Sequence, residues 1–284
     1  MAKTFKGARR IHALGRLVFH RFVRKHTLLR ASALTLTSLL NVVPLAVVIL
    51  SMLAMVPWFE KFSGQLEPFI VANFVPNAAQ VVCDYLNRFM AETHTLPVAT
   101  FLFLLFTVFL LMYNIERHLN EIFSISKHRN FLHALMLYAF ILIFGPIFLG
   151  LSLMFWSYLI SSMGLLMDET KLLEYRLLML LSPLSTFLMF WGLYVIIPNC
   201  RVNLKDAAIG ALVATVFFEA LRVLFSLYLK YFSSYTLLYG AFAIIPLFLL
   251  WVYFSWLIFL AGAMLTAILK KIRSAPLEFS PNHL

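Results

Sequence analysis

Glu219 and Arg222 stand three residues apart inside the otherwise apolar run VFFEALRVLF at 216–225. On a helix that spacing leaves the two side chains about 60° apart around the axis and about 4.5 Å apart along it, so both face the same way. A charge near the centre of a membrane span costs roughly 2.5–3.5 kcal/mol on the insertion scale, so neither is expected to face lipid. A carboxylate beside a guanidinium in such a place can serve as a buried structural pair, hold an anionic headgroup through the guanidinium, or exchange a proton at the carboxylate. Polar residues of other apolar runs are candidates to join that centre. Thr35, Ser38 and Asn41 climb one side of a run towards Pro44, and Thr100, Thr107 and Asn114 recur every seven residues along another. Small or polar stripes also serve tight helix packing, the role expected for Gly210 with Ala214 and for Gly145 with Gly150.

The elements that must position these residues follow from composition. Of 284 residues, 62% are hydrophobic, 16% aromatic and only 12% charged. That balance lies far from a soluble domain and predicts an all-α, polytopic membrane helical bundle. Six apolar stretches are long enough to cross a bilayer core of about 30 Å: Ala31–Val56, Pro97–Tyr113, Leu132–Ile160, Leu177–Ile197, Ala207–Tyr228 and Leu237–Leu269. The chain then divides into a basic amphipathic tail at 1–30, one transmembrane domain at 31–269 and a short tail at 270–284. The last stretch is too long to cross upright, so it is expected to tilt, protrude or break near Pro246. Pro44, Pro146, Pro183 and Pro246 all fall inside expected spans, where each removes a backbone donor and predicts a kink.

The formal net charge of +11 sits largely in one place. Lys3, Lys6, Arg9, Arg10, Arg16, Arg21, Arg24, Lys25 and Arg30 precede or open the first span with no acid among them. This is the pattern of a cytoplasmic retention signal in contact with anionic lipid, and nucleic acid is not expected as a partner. Within the tail, Ile11, Leu14, Val18 and Phe22 recur at helical spacing, predicting a helix lying on the membrane surface. The connections after the second, fourth and sixth spans carry most of the remaining lysines and arginines, which places both termini on the cytoplasmic side. The long segment at 60–95 includes NAAQVVCDYLNRFM, whose apolar residues share one helical face, predicting a second amphipathic helix on the outer surface.

No enzyme signature emerges. The eight histidines form no HExxH, and His118, His128 and His133 lie among basic residues at a membrane boundary without paired carboxylates at ligand spacing. No P-loop, nucleophile elbow or dinucleotide-binding turn occurs. No catalytic residue, metal or cofactor is therefore expected. Cys83 and Cys200 fall on opposite sides of the expected topology and cannot form a disulfide.

From about residue 30 to 270 the stretches RASALTLTSLLNVVPL, ANFVPNAAQVV, LLMYNIERHLNEIF, FGPIFLG, IIPNCRV and the long block beginning DAAIGALVATVFFEALRVLF come in the order of the YihY/BrkB family. The series Tyr239, Gly240, Pro246, Trp251, Tyr253, Gly262 and Ala263 strengthens the resemblance. It implies a multi-span helical bundle of the bacterial inner membrane, and argues against the ribonuclease label that members once carried. Glu219 matches the family's FEA motif, whereas Met264 stands where members commonly have glutamate after GA. The expectation is a transporter or flippase-like protein for a lipid or other amphipathic envelope component. The alternative is a non-transporting scaffold for envelope machinery. Expected partners are membrane lipids, anionic ones at the tail, and a homo-oligomer is left open.

Overall fold

The computed structural model describes residues 15–54, 98–126, 129–144, 172–231 and 244–274, with side chains in all of these except 49–54, 172–182, 229–231 and 244–245. Every regular element in them is an α-helix: α1 at 15–24, α2 Thr27–Ala54, α3 Val98–Ile122, α4 Phe131–Phe144, α5 Leu172–Ile196, α6 Leu204–Tyr231 and α7 Ile244–Ser274. The helices α2 to α7 take up the six expected spans in order. Four are long and apolar enough to cross a membrane, over Thr27–Val48, Val98–Ile122, Leu204–Tyr228 and Pro246–Ser274, while Phe131–Phe144 and Pro183–Ile196 are shorter apolar helices. The outer segment 60–95, Pro146 and Cys83 lie outside the described residues.

One boundary differs from the sequence expectation. The second span was expected to end at Tyr113, yet α3 continues to Ile122. Its last turns, NIERHLNEI, are polar but make i,i+4 pairs that suit a helix, Arg117 with Glu121 and Asn120 with Glu116. The helix stops in a Schellman-type turn: Ser124 takes a left-handed φ of 58° and the Ile125 N–H donates to the Asn120 carbonyl at 2.8 Å. The last helix is described from Ile244, with Pro246 in the first turn described, and the part of its expected span at 237–243 lies outside the described residues. Pro44 and Pro183 do lie inside helices, α2 and α5.

The chain forms two compact units. The first contains the described parts of Met1–Leu39, Asn114–His128 and Leu180–Leu284, that is α1, the start of α2, the end of α3, and most of α5 with α6 and α7. Here α6 and α7 cross at small residues. A Cβ added to Gly210 would lie 2.7 Å from the Gly262 carbonyl oxygen, and one added to Gly262 would lie 2.8 Å from the Ala214 Cβ and meet the Tyr194 hydroxyl. Such close approach is how membrane helices gain dispersion energy where lipid is as apolar as leucine. The Tyr194 hydroxyl, fully buried, donates to the Phe259 carbonyl at 2.8 Å and ties α5 to the same seam. Above it an aromatic column of Phe190, Phe218, Phe259, Trp251 and Phe225 fills the space between α5, α6 and α7, with ring centroids 5.0–5.9 Å apart.

The second unit contains the described parts of Leu40–Tyr113 and Arg129–Met179. Val48 of α2, Val108 of α3 and Leu142 of α4 form its core, with Leu45, Phe101, Leu104 and Leu105 packed against them. Phe109 and Tyr138 add a tilted ring contact at 6.2 Å.

Candidate functional site

The start of α6 is fixed by its own sequence. Asn203 accepts the Lys205 N–H on its side-chain oxygen at 3.0 Å, an N-cap, and Asp206 follows in the first turn, where its charge complements the helix dipole. Asp206 is 2% exposed and accepts from Arg273, in the last turn of α7, at 2.6 Å. Its other carboxylate oxygen is buried with no protein partner. This bridge sets the register of α6 against α7, and the small-residue crossing begins one turn later.

With that register, one face of α6 carries Ala207, Ala211, Ala214, Phe218 and Phe225. Its alanines are buried and its two aromatic rings pack on Trp251 of α7. Glu219 and Arg222 lie beside that face, fifteen and eighteen residues into a 28-residue helix. At 1.5 Å per residue this is roughly 22–27 Å from its start, past the middle of the apolar span Leu204–Tyr228. The Arg222 Nη1 donates to both carboxylate oxygens of Glu219, at 2.9 and 3.1 Å. Thr186 of α5 makes a longer bond to the same carboxylate, 3.4 Å. Glu219 is 28% exposed and Arg222 46%, so the carboxylate side chain is the more covered of the two. The pair thereby leaves neither charge uncompensated in an apolar setting.

The other sequence candidates make different bonds. Thr35, buried, donates to the Ala31 carbonyl at 2.7 Å, and Thr107 to the Leu104 carbonyl at 2.7 Å, each within its own helix. Ser38 accepts from the Trp256 indole at 3.0 Å, joining α2 to α7. Asn41 is buried and Asn114 half-buried. Of the candidates, Glu219 and Arg222 are the ones the structure joins to each other, and Thr186 is the addition that sequence reasoning missed.

A second polar cluster was also missed. The end of α3 meets the junction of α1 and α2 within the first unit. Glu121 forms ion pairs with Arg30 and, at 3.4 Å, with Arg117, and its backbone carbonyl accepts from the Lys25 ammonium at 2.9 Å. Arg30 also bonds the Lys25 carbonyl at 2.7 Å and His118 Nδ1 at 3.3 Å. Asn120 accepts the Asn199 N–H at 2.8 Å, bringing the α5–α6 loop to the same end. Burial, and the nearby charges of Arg30 and Arg21, lower the Lys25 pKa from its ordinary value. The signal in the sequence was the i,i+4 spacing in NIERHLNE; the partners on α1 and α2 are far away in the chain. Cys200 is a free thiol, and among the described residues no three histidine, cysteine or acidic side chains come together as a metal site.

Similarity to known proteins agrees with this architecture. A UPF0761 membrane protein of Legionella pneumophila is 40% identical over 248 residues, covering 87% of this chain and 60% of its own. One of Pseudomonas aeruginosa is 39% identical over 259 residues, covering 91% and 63%. The chain thus spans about three fifths of the length of these relatives. One of Mannheimia succiniciproducens is 36% identical over 253 residues, covering 89% and 88%. No solved structure matches. The family described as Virulence factor BrkB matches residues 18–282, and the chain belongs to it.

Proposed function

We propose that this membrane protein moves a lipid or another amphipathic envelope component across the bacterial inner membrane, with Glu219 and Arg222 as the polar centre of the path. The observation that carries the reading is the uneven cover of the pair: Glu219 is 28% exposed while Arg222, bonded to both of its carboxylate oxygens, is 46% exposed. A bridge that is enclosed repays its desolvation only when its remaining donors and acceptors are also satisfied. An arginine held by a carboxylate while nearly half of its side chain is exposed suits a headgroup that arrives and leaves. The concentration of basic residues before the first span supports an orientation with both termini in the cytoplasm. We read the protein as a carrier and not as an enzyme.

The test is lipid movement in liposomes. The purified full chain is reconstituted with a fluorescent phospholipid, and a membrane-impermeant reductant bleaches whatever probe reaches the outer leaflet. The parent is expected to deliver inner-leaflet probe to the reductant. Glu219→Gln, at matched insertion and fold, is expected to slow delivery about tenfold, the equivalent of one charged hydrogen bond of about 1.5 kcal/mol. Liposomes with the parent that behave as empty ones would overturn the flippase reading, and stoichiometric co-purification of envelope proteins would then favour the scaffold.

A further inference from the structure

The cluster at the α1–α2 junction carries more positive charge than its own carboxylate can balance. Arg30 and Arg117 both pair with Glu121, Lys25 is held by the Glu121 carbonyl, and Arg21 lies one helical turn before Lys25. His118 accepts from Arg30 in this arrangement and adds no negative charge. Arg117 is 60% exposed, so donors on this cluster remain open to a ligand. The like charges also repel one another, Arg30 against Arg117 and Lys25 against Arg30 and Arg21.

Position and surroundings indicate the kind of anion. The cluster sits where the apolar parts of α2 and α3 end, which is headgroup depth for any bilayer that covers them. On α1 the residues expected to form the membrane face, Val18 and Phe22, are half-buried against the protein. Phe19 and Val23, one turn apart, are instead 70% and 58% exposed. Leu28 and Leu29 continue the exposed apolar surface at the start of α2. Cations bordered by open apolar side chains match a molecule with a phosphate at one end and acyl chains at the other.

We propose that Arg21, Lys25, Arg30 and Arg117 hold the phosphate of an anionic phospholipid at the junction of α1, α2 and the end of α3, with Phe19 and Val23 against its glycerol and upper acyl region. This site is separate from Glu219 and Arg222 and stands whether or not the protein moves lipid. Glu121 is then a competitor for the same cations, and its removal has an effect opposite in sign to removal of an arginine.

The experiment is lipid binding to the purified full chain, counted by native mass spectrometry across a titration of phosphatidylglycerol and, separately, phosphatidylcholine. Tighter binding of phosphatidylglycerol is expected, weakened about fivefold by Arg117→Gln and again by Arg21→Gln, as expected for one cation each near an anionic surface. Glu121→Gln is expected to strengthen binding, a gain that a damaged fold would not produce. Inorganic phosphate at millimolar concentration is expected not to displace the lipid. Equal binding of the two lipids, or Arg117→Gln binding as the parent does, would overturn the proposal. Displacement by inorganic phosphate would overturn the lipid assignment and leave a soluble anion site.

Discussion

Placing a methyl group on Gly262 probes the contact that holds α5, α6 and α7 together. In an isolated helix the change from glycine to alanine is favourable by up to about 1 kcal/mol. Here the new Cβ would lie 2.8 Å from the Ala214 Cβ and 3.0 Å from the Gly210 carbonyl oxygen, and would meet the Tyr194 hydroxyl that is bonded to Phe259. Two of these neighbours belong to helix α6, so relief requires α6 and α7 to separate. Overpacking of this kind costs about 1–3 kcal/mol, and displacing the Tyr194 hydroxyl from its acceptor adds about 1 kcal/mol. The net expectation for Gly262→Ala is a loss of about 2 kcal/mol, or about 4–8 °C in Tm for a chain of this size. Gly192 supplies the control, since a Cβ there meets nothing within 4 Å and Gly192→Ala is expected to be neutral or stabilising. Thermal melts of the purified protein in detergent, followed by tryptophan fluorescence, measure both. Adding Tyr194→Phe to Gly262→Ala is expected to recover part of the loss by removing the oxygen that the methyl meets. A Gly262→Ala protein as stable as its parent would refute the close-crossing account.

The register bridge gives a second stability test. Arg273→Ala leaves the Asp206 carboxylate buried without its partner and is expected to cost about 2 kcal/mol, below the full penalty for a wholly buried pair because Arg273 is half exposed. Asp206→Asn in the same chain is expected to return part of that loss in the same melt. Orientation is checked at the free Cys200 in a Cys83→Ser background. A membrane-impermeant maleimide is expected to label Cys200 in inside-out vesicles and not in intact spheroplasts; the reverse pattern would contradict cytoplasmic termini.

The helices and one ion pair were legible in the sequence because their causes are local. Apolar runs longer than a bilayer core announce spans, and a three-residue spacing brings Glu219 and Arg222 to one side whatever surrounds them. The same locality explains the differences. Hydropathy ends the second span at Tyr113, but the helix follows hydrogen bonding, which the pairs Glu116–Asn120 and Arg117–Glu121 sustain to Ile122. On α1, apolar residues at 18, 19, 22 and 23 offer two overlapping faces, and packing against the protein settles which one it covers. The Arg30–Glu121 and Tyr194–Phe259 contacts join residues separated by 91 and 65 positions, so no spacing rule could have paired them. His118 and Glu121 lie three apart on α3, and Arg30 of α2 bonds both of them.

The central claim, that Arg222 meets a transported headgroup while Glu219 steadies it, is tested most directly by exchanging the two charges. In the double substitution Glu219→Arg with Arg222→Glu, an ion pair three residues apart can still form, so a purely structural bridge keeps its role. The guanidinium, however, moves about 60° around the helix and about one turn closer to its start. Lipid movement by the exchanged protein in liposomes, at matched insertion and melting temperature, is predicted to fall to the level of empty vesicles. Movement at the parent's rate would contradict the account and leave the pair a structural bridge.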